Sequence, residues 1–430
     1  MVLCCVRFGA ESDNNYRFIA TMLNAIWIFF FLAAFVTALV KLVFFGQPQA
    51  FAELMTAMFA SSKSAFDIAL GLTGVLSLWL GIMQIGERSG VMGFLTKGLT
   101  PLFSRLMPEV PRDHPALGAM VMNIAANMLG LDNAATPLGI KAMQALQTLN
   151  PKPDTASNPQ ILFLVINTSS VTLFPVTIFT YRAQLGAANP TDVFIPILLA
   201  TYLSTLAGLL AVAFVQKINL LDKVVMAYLG GLTLLVGGLL AYFAQLPQAE
   251  MLAQSALISN VILYSLVVAF LLTAVYRRIN AYEAFVDGAK QGFQTAITIV
   301  PYLVAMLVAI GVFRASGALD LLNAGARYLA QFFLLDARFV DGLPTAFIKP
   351  FSGSGARAMM IDTMKTLGPD SFAGRLSCII QGSTETTFYV LAIYFGAVGI
   401  KYSRHAISCG IIADFAGVLA AIAVTYLFFG

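Results

Sequence analysis

The chain is built from uncharged apolar runs about as long as a bilayer is thick. A transmembrane helix needs about 20 predominantly apolar residues. Runs of that kind lie at 18–40, 68–86, 160–181, 193–216, 224–249, 251–276 and 291–313. Two more, 376–400 and 406–430, hold one acid each, Glu385 and Asp414. Charged residues make up 11% of the chain, against roughly 25% in a soluble domain. A water-soluble chain of 430 residues could not cover its surface with so few charges. The fold class predicted is therefore an all-α polytopic membrane protein with about nine transmembrane helices. The first run exceeds the 7–15 residues of a signal-peptide core, so it is expected to remain as a first span.

The same residues exclude several function classes. The net charge of +4 is small and scattered, so no nucleic-acid footprint exists. Cys4, Cys5, Cys378 and Cys409 show neither disulfide nor metal spacing. The two histidines, His114 and His405, stand in unrelated contexts. No phosphate loop, zinc-ligand pair or nucleophile elbow occurs. The chain is expected not to be an enzyme and to need no cofactor or metal. Its expected partners are the lipid bilayer, a small-molecule solute, a proton or Na⁺, and further copies of itself in a homo-oligomer.

Two further segments are apolar but broken. Residues 115–131 lead into Asp132-Asn133 and Pro137, then a helical stretch to Leu149. Residues 343–350 lead into Ser352-Gly353-Ser354-Gly355, then a stretch to Leu367. Broken backbone at membrane depth survives only where protein or a water cavity covers it. Both segments read as re-entrant hairpins, with an interfacial helix pair as the alternative. Lysine and arginine favour cytoplasmic loops. With Arg7 and Arg17 inside, Arg88, Lys97, Arg105 and Arg112 also fall inside, as do Lys217, Lys223, Arg277, Arg278, Lys290, Lys401 and Arg404. That places the N-terminus in the cytoplasm, in a bacterial inner membrane. Arg314, Arg327 and Arg338 fall outside and conflict with the rule, softened by Asp320, Asp336 and Asp341.

The order of features repeats. Glu87-Arg-Ser-Gly90 is matched by Arg314-Ala-Ser-Gly317, and Ser204-Thr-Leu-Ala-Gly208 by Ala413-Asp-Phe-Ala-Gly417. The polar run starting at Asn167 is matched by the one starting at Gln381. Four spans and a hairpin precede one lone helix, so the second half is expected upside down. Inverted repeats are a transporter architecture with the binding site at the midplane. The boundaries expected are a variable tail at 1–21, a first repeat at 22–216, a linking helix at 217–250 and a second repeat at 251–430.

Four segments concentrate polar groups where lipid would penalise them. They supply Asn123, Asn127, Asp132, Asn133 and Thr136; Asn167, Thr168, Ser169 and Ser170; Ser352, Ser354 and Arg357; and Gln381, Ser383, Thr384, Glu385 and Thr386. Runs of four to six polar residues suggest unwound backbone facing a cavity. These are the candidate solute-binding residues. The bland alternatives are that Asn123 and Asn127 glue helices together and that Asp132 caps a helix. A mid-span acid such as Glu385 costs roughly 2.5–3.5 kcal/mol on insertion scales, so it needs a partner or an ion path. Arg357 is the partner expected. Glu385, Asp132 and Asp414 are the candidate coupling-ion residues.

Three stretches carry a resemblance: NIAANMLGLDNAATPLGIKAMQA at 123–145, KPFSGSGARAMMIDTMK at 349–365 and QGSTETTFYVLAIYFGAVGIKY at 381–402. They resemble the spore maturation protein A and B family, whose members carry the nucleoside-recognition Gate domain. The first half is similar to an A protein and the second to a B protein. The Gate domain is in turn similar to parts of concentrative nucleoside transporters and ferrous-iron transporters. In the former, two hairpins and two unwound helices hold nucleoside and a coupling ion. The resemblance implies a transporter-like protein for a small polar or charged solute, nucleoside-like, with proton or Na⁺ coupling by alternating access. The alternative is a non-transporting ligand-binding scaffold or sensor in envelope or spore maturation.

Overall fold

The computed structural model describes residues 13–130, 132–169, 172–334 and 336–430, with the side chains of 13–23 and 132–134 outside the description. Cys4, Cys5 and Ser170, and the side chains of Asp132 and Asn133, thus lie outside the described residues. The described chain is helical throughout. Seven helices are long and apolar enough to cross a membrane. They are α1 (Asp13–Phe45), α2 (Ala50–Arg88), α8 (Phe194–Gln216), α9 (Lys223–Ala244), α10 (Gln248–Tyr276), α11 (Ala281–Ala315) and α17 (Ala406–Phe429). The two other expected spans are each split into a pair of short helices. These are α6 (Asn158–Ser169) with α7 (Val176–Gln184), and α15 (Phe372–Ser383) with α16 (Thr387–Gly396).

Between the long helices lie α3 (Val91–Leu106) and α12 (Ala318–Phe332), and two helical hairpins. The first hairpin is α4 (Pro115–Met128) with α5 (Asp132–Gln147), and the second is α13 (Leu343–Ile348) with α14 (Gly353–Leu367). Burial sorts the long helices into layers. The apolar window of α8 is 56% buried, whereas that of α9 is 11% and that of α1 is 17%. Apolar over most of their length, with charges near their ends, the outward faces of α1, α9 and α10 suit lipid. They carry Phe35, Phe44, Leu234, Leu235, Leu272 and Val275 at the surface.

The sequence explains each break. The α6 helix runs into Asn167-Thr168-Ser169, and α7 starts only after Pro175, which has no N–H to give to a continuing helix. The α15 helix ends where Thr384 turns extended, and α16 resumes after Thr386. Each hairpin tip then docks on the break of its own half through backbone hydrogen bonds. Leu173 N donates to Met128 O at 2.9 Å, and Phe388 N donates to Pro350 O at 3.0 Å. Only glycine fits the first tip. Gly130 has φ +69°, and a Cβ there would stand 2.9 Å from the Phe174 carbonyl.

Contacts between the halves show that the matched elements run antiparallel. Gly288 packs on Leu80, Gly292 on Ser77 and Gly311 on Ser61, so α2 and α11 lie against each other in opposite directions. The matched motifs of α8 and α17 cross each other. Ser204 Oγ donates to Ala413 O at 2.8 Å, Gly208 faces Ala413, and Gly417 faces Ser204. At one end, the loop before α6 pairs with the loop after α16. Lys401 N donates to Asp154 O at 2.8 Å, and Ala156 N to Tyr402 O at 3.0 Å. At the other end, Arg182 near the end of α7 pairs with Asp370 just before α15, at 2.9 Å. The beginning of one broken helix pair therefore lies level with the end of the other. Gly90 and Gly317, both at φ +82°, end α2 and α11 with the same left-handed residue before an amphipathic helix. These are the relations an inverted duplication produces.

The three arginines that conflict with the charge rule are neutralised. Arg314 Nε donates to Asp362 at 2.8 Å. Arg338 Nε donates to Asp336 at 2.7 Å, and Arg327 pairs with Asp341. The partner of Arg314 is Asp362 on α14, outside the three acids of that loop. The Asp336 carboxyl, on an exposed loop, is held below the usual carboxylate range by hydrogen bonds from Arg338.

Candidate functional site

The four broken segments meet around one cavity. It has a volume of about 90 Å³ and is lined by residues of both hairpin tips and both helix breaks. Asn127 and Gly130 come from the first tip; Lys349, Gly353 and Arg357 come from the second; Thr172, Phe174 to Ile178, Gln381, Gly382, Thr384 and Glu385 come from the breaks. At about 10–15 Å³ per water, such a space holds about six to nine waters at most. It is smaller than the 300–1,000 Å³ typical of pockets for drug-sized ligands.

Backbone atoms freed by the breaks hold the site together. Glu385 N donates to Thr168 O at 2.7 Å, so the two breaks clasp each other across the halves. Lys349 Nζ donates to Gln381 O at 2.9 Å, tying the second hairpin to the second break. Each bond satisfies a carbonyl that its own helix has left open, a necessity where no bulk water reaches.

An amide and phenol chain lies behind the first tip. Asn127 Nδ2 donates to Asn167 Oδ1 at 2.8 Å. Tyr394 OH donates to the same oxygen at 3.3 Å and accepts from Asn123 Nδ2 at 3.1 Å. Asn123 also donates to Ala135 O at 2.7 Å, which ties α4 to α5. Of this chain, Asn127 alone lines the cavity; Asn123 and Asn167 orient it from behind.

The remaining expected residues divide by what their side chains touch. Gln381, Thr384, Glu385 and Arg357 line the cavity. The hydroxyls of Thr168 and Ser169 donate back to Val165 O at 3.0 and 2.9 Å, and Ser383 donates to Ile380 O at 2.9 Å. These three serve their own helix turns rather than the cavity. Ser352 caps α14 by accepting from Gly355 N at 2.9 Å, with Ser354 Oγ 3.3 Å away. Thr386 packs against Gly353, and Thr136 is half-buried on α5, away from the lining. Asp414 is 5% exposed on α17 and also outside the lining.

The ion pair expected between Arg357 and Glu385 is not formed among the described contacts. The Arg357 guanidinium lies over the Tyr181 ring, 6.0 Å from its centre, which suits a planar cation against an aromatic face. Tyr394, Tyr181 and Lys349 were not among the candidate residues. Lys349 had a legible signal, a lysine between two apolar stretches. Tyr394 had none, because a tyrosine in an apolar helix is ordinary and its role depends on a cross-half contact.

Beyond the cavity, one end of the molecule is closed by a buried charge cluster. Arg182, with its side chain 0% exposed, pairs with Asp192 at 2.8 Å and Asp370 at 2.9 Å. Arg375 pairs with Asp192 at 2.9 Å. Burial pushes the Asp192 carboxyl above its usual range, opposed by the charges of Arg182 and Arg375.

The comparisons with known proteins agree with this duplicated architecture. The Gate family model, described as "Nucleoside recognition", matches residues 69–187 and again 296–401. Spore maturation protein A of Bacillus subtilis (strain 168) is 39% identical over 189 residues, which are 44% of this chain and 93% of that protein. Spore maturation protein B of the same organism is 46% identical over 165 residues, 38% of this chain and 91% of that protein. No solved structure matches the chain. Two Gate matches and two near-complete relatives within one polypeptide show that this chain belongs to the spore maturation protein A/B family, as a fused, two-Gate multi-pass membrane protein.

Proposed function

We propose that the chain is a transporter-like protein that moves a small polar or charged solute across a bacterial inner membrane by alternating access, with its N-terminus cytoplasmic. The observation that carries this reading is the cavity where both hairpin tips and both helix breaks converge. Two antiparallel broken helices around a central polar site are the arrangement on which rocking between two open states depends. A backbone clasp of Asp154 with Lys401 and Tyr402 at one end, and the side-chain ion pair of Arg182 with Asp370 at the other, supply a closure for each face. Lys349, Arg357, Gln381 and Glu385 offer both charge signs and amide groups to a solute. The cavity volume favours a small solute over a whole nucleoside in this conformation. A proton or Na⁺ supplies the driving force, with acids of the four segments and Asp414 as its ligands.

The test is counterflow in proteoliposomes across a panel of amino acids, organic acids, nucleosides and phosphate compounds, with Glu385→Gln alongside. Saturable counterflow for one class, weakened at least tenfold in the variant, is expected. Ligand-induced thermal shift without flux for any class would favour the scaffold or sensor reading instead.

A further inference from the structure

We propose that Asp414 is the proton-binding group of this protein and that Lys349 transmits its charge state to the cavity, an inference that rests on the transport reading. Asp414 lies near mid-helix in α17, 5% exposed. Neither carboxylate oxygen has a hydrogen-bond partner, and the facing Thr387 hydroxyl is also unpartnered. A buried carboxylate left in that state is costly as an anion. It calls for a proton or a cation.

The surroundings decide between these. On α8, the hydroxyl of Ser204 is committed to Ala413 O. On α16, Thr387 points toward the carboxylate without reaching hydrogen-bond geometry. The α6 and α15 helices bring Thr168 against Gly410 and Thr384 against Gly417, both uncharged. The charged group that acts on Asp414 is Lys349. A metal ion would have to share the site with that ammonium, and among the described residues no three acidic, histidine or cysteine side chains are grouped so as to hold a metal ion. A proton is opposed by that ammonium too, but it needs one carboxylate oxygen and no ligand shell, and it leaves a neutral carboxyl.

Lys349 makes the site consequential. It lines the cavity, donates to Gln381 O of the second break, and feels the Asp414 charge. While Asp414 is ionised, its carboxylate draws the ammonium away from the cavity. When one proton moves from water to a carboxylate oxygen, that pull ends. The charge balance at the cavity wall and the second hairpin tip, where Lys349 stands, then becomes more positive. Release of the proton to the other face reverses the change. Glu385, on the cavity wall, is then a solute-facing group rather than the proton carrier.

Infrared difference spectroscopy on the full-length protein in bilayers, titrated in pH, reads the protonation directly. A carboxylic C=O band should titrate in the wild type and be absent in Asp414→Asn. Lys349→Met, which removes the opposing cation, should move the midpoint of that band upward by about 1–3 pH units. If Asp414→Asn does not insert properly, the Lys349→Met shift alone decides. An unchanged band in Asp414→Asn, or an unmoved midpoint in Lys349→Met, overturns the proposal. In proteoliposomes, Asp414→Asn should lose accumulation driven by a pH gradient; gradient-driven accumulation equal to wild type also overturns it. Absence of any wild-type counterflow sinks the transport reading while leaving the spectroscopic result to stand or fall separately.

Discussion

The buried cluster around Arg182 ties the two halves together at one end of the molecule. The Arg182 side chain is 0% exposed and that of Asp192 is 8%. Besides its two aspartates, Arg182 donates to Pro369 O at 2.6 Å and Pro190 O at 3.2 Å. It thereby joins the α7–α8 connection of the first half to the connection preceding α15 in the second. Breaking a buried pair by removing one partner costs about 3–5 kcal/mol. In Arg182→Met the Asp192 carboxylate keeps Arg375 at 2.9 Å, so the lower end, about 3 kcal/mol, applies. The exposed pair Arg327–Asp341, with side chains 46% and 27% exposed, is the control, and Arg327→Met should cost about 0–1 kcal/mol. The assay is the thermal inactivation midpoint of purified protein in one detergent, read by loss of monodispersity. Arg182→Met should fall clearly below both wild type and Arg327→Met.

The pH dependence of that variant gives a second handle. Burial already holds Asp192 above its usual carboxyl range, and Arg182 and Arg375 oppose it. Removing Arg182 lets burial push it further up. A carboxyl raised in the folded state contributes stability below its ordinary range, and loses it as pH rises through the raised value. The deficit of Arg182→Met should therefore widen from acidic to neutral pH. Equal midpoints for Arg182→Met and Arg327→Met at neutral pH would refute the claim that this cluster locks the halves together.

Two further predictions concern orientation and the opposite end. The matched residues Ser89 and Ser316 are buried, so labelling must use exposed neighbours on the amphipathic helices; Lys97→Cys and Arg327→Cys should react with membrane-impermeant thiol reagent from opposite sides, and same-side reaction would contradict the inversion. His405 Nε2 lies 3.0 Å from Gln216 Nε2, and burial, then the Arg404 charge, holds its imidazole below the ordinary value of 6.5. A depressed histidine contributes stability that is present above that ordinary value and lost as pH falls through the depressed one. Thermal midpoints should thus drop on mild acidification in wild type and drop less in His405→Gln; parallel drops would remove His405 from this role.

Much of the architecture was legible as sequence because lipid imposes a one-dimensional rule. A run of uncharged residues the length of the bilayer must be a helix, and a polar break in it must be covered. That rule located the seven long helices, the two split ones, and the segments carrying Asn127, Arg357, Gln381 and Glu385. The shared order of motifs pointed to duplication, and the crossing of Ser204–Gly208 with Ala413–Gly417 is the place where it becomes physical. What pattern could not give was direction of side chains. Thr168, Ser169 and Ser383 sit in the right runs yet bond their own turns, because a hydroxyl in a helix has a carbonyl always within reach. Arg357 faces Tyr181 rather than Glu385, and Tyr394 gains its role from amides more than two hundred residues away in the chain. The isolation of Asp414 is likewise a property of packing, since its neighbours come from α8, α16 and the second hairpin. Hydrophobicity is summed along the chain and so is written in it; hydrogen bonds and ion pairs depend on angstrom-scale meeting of distant segments, which only the tertiary structure decides.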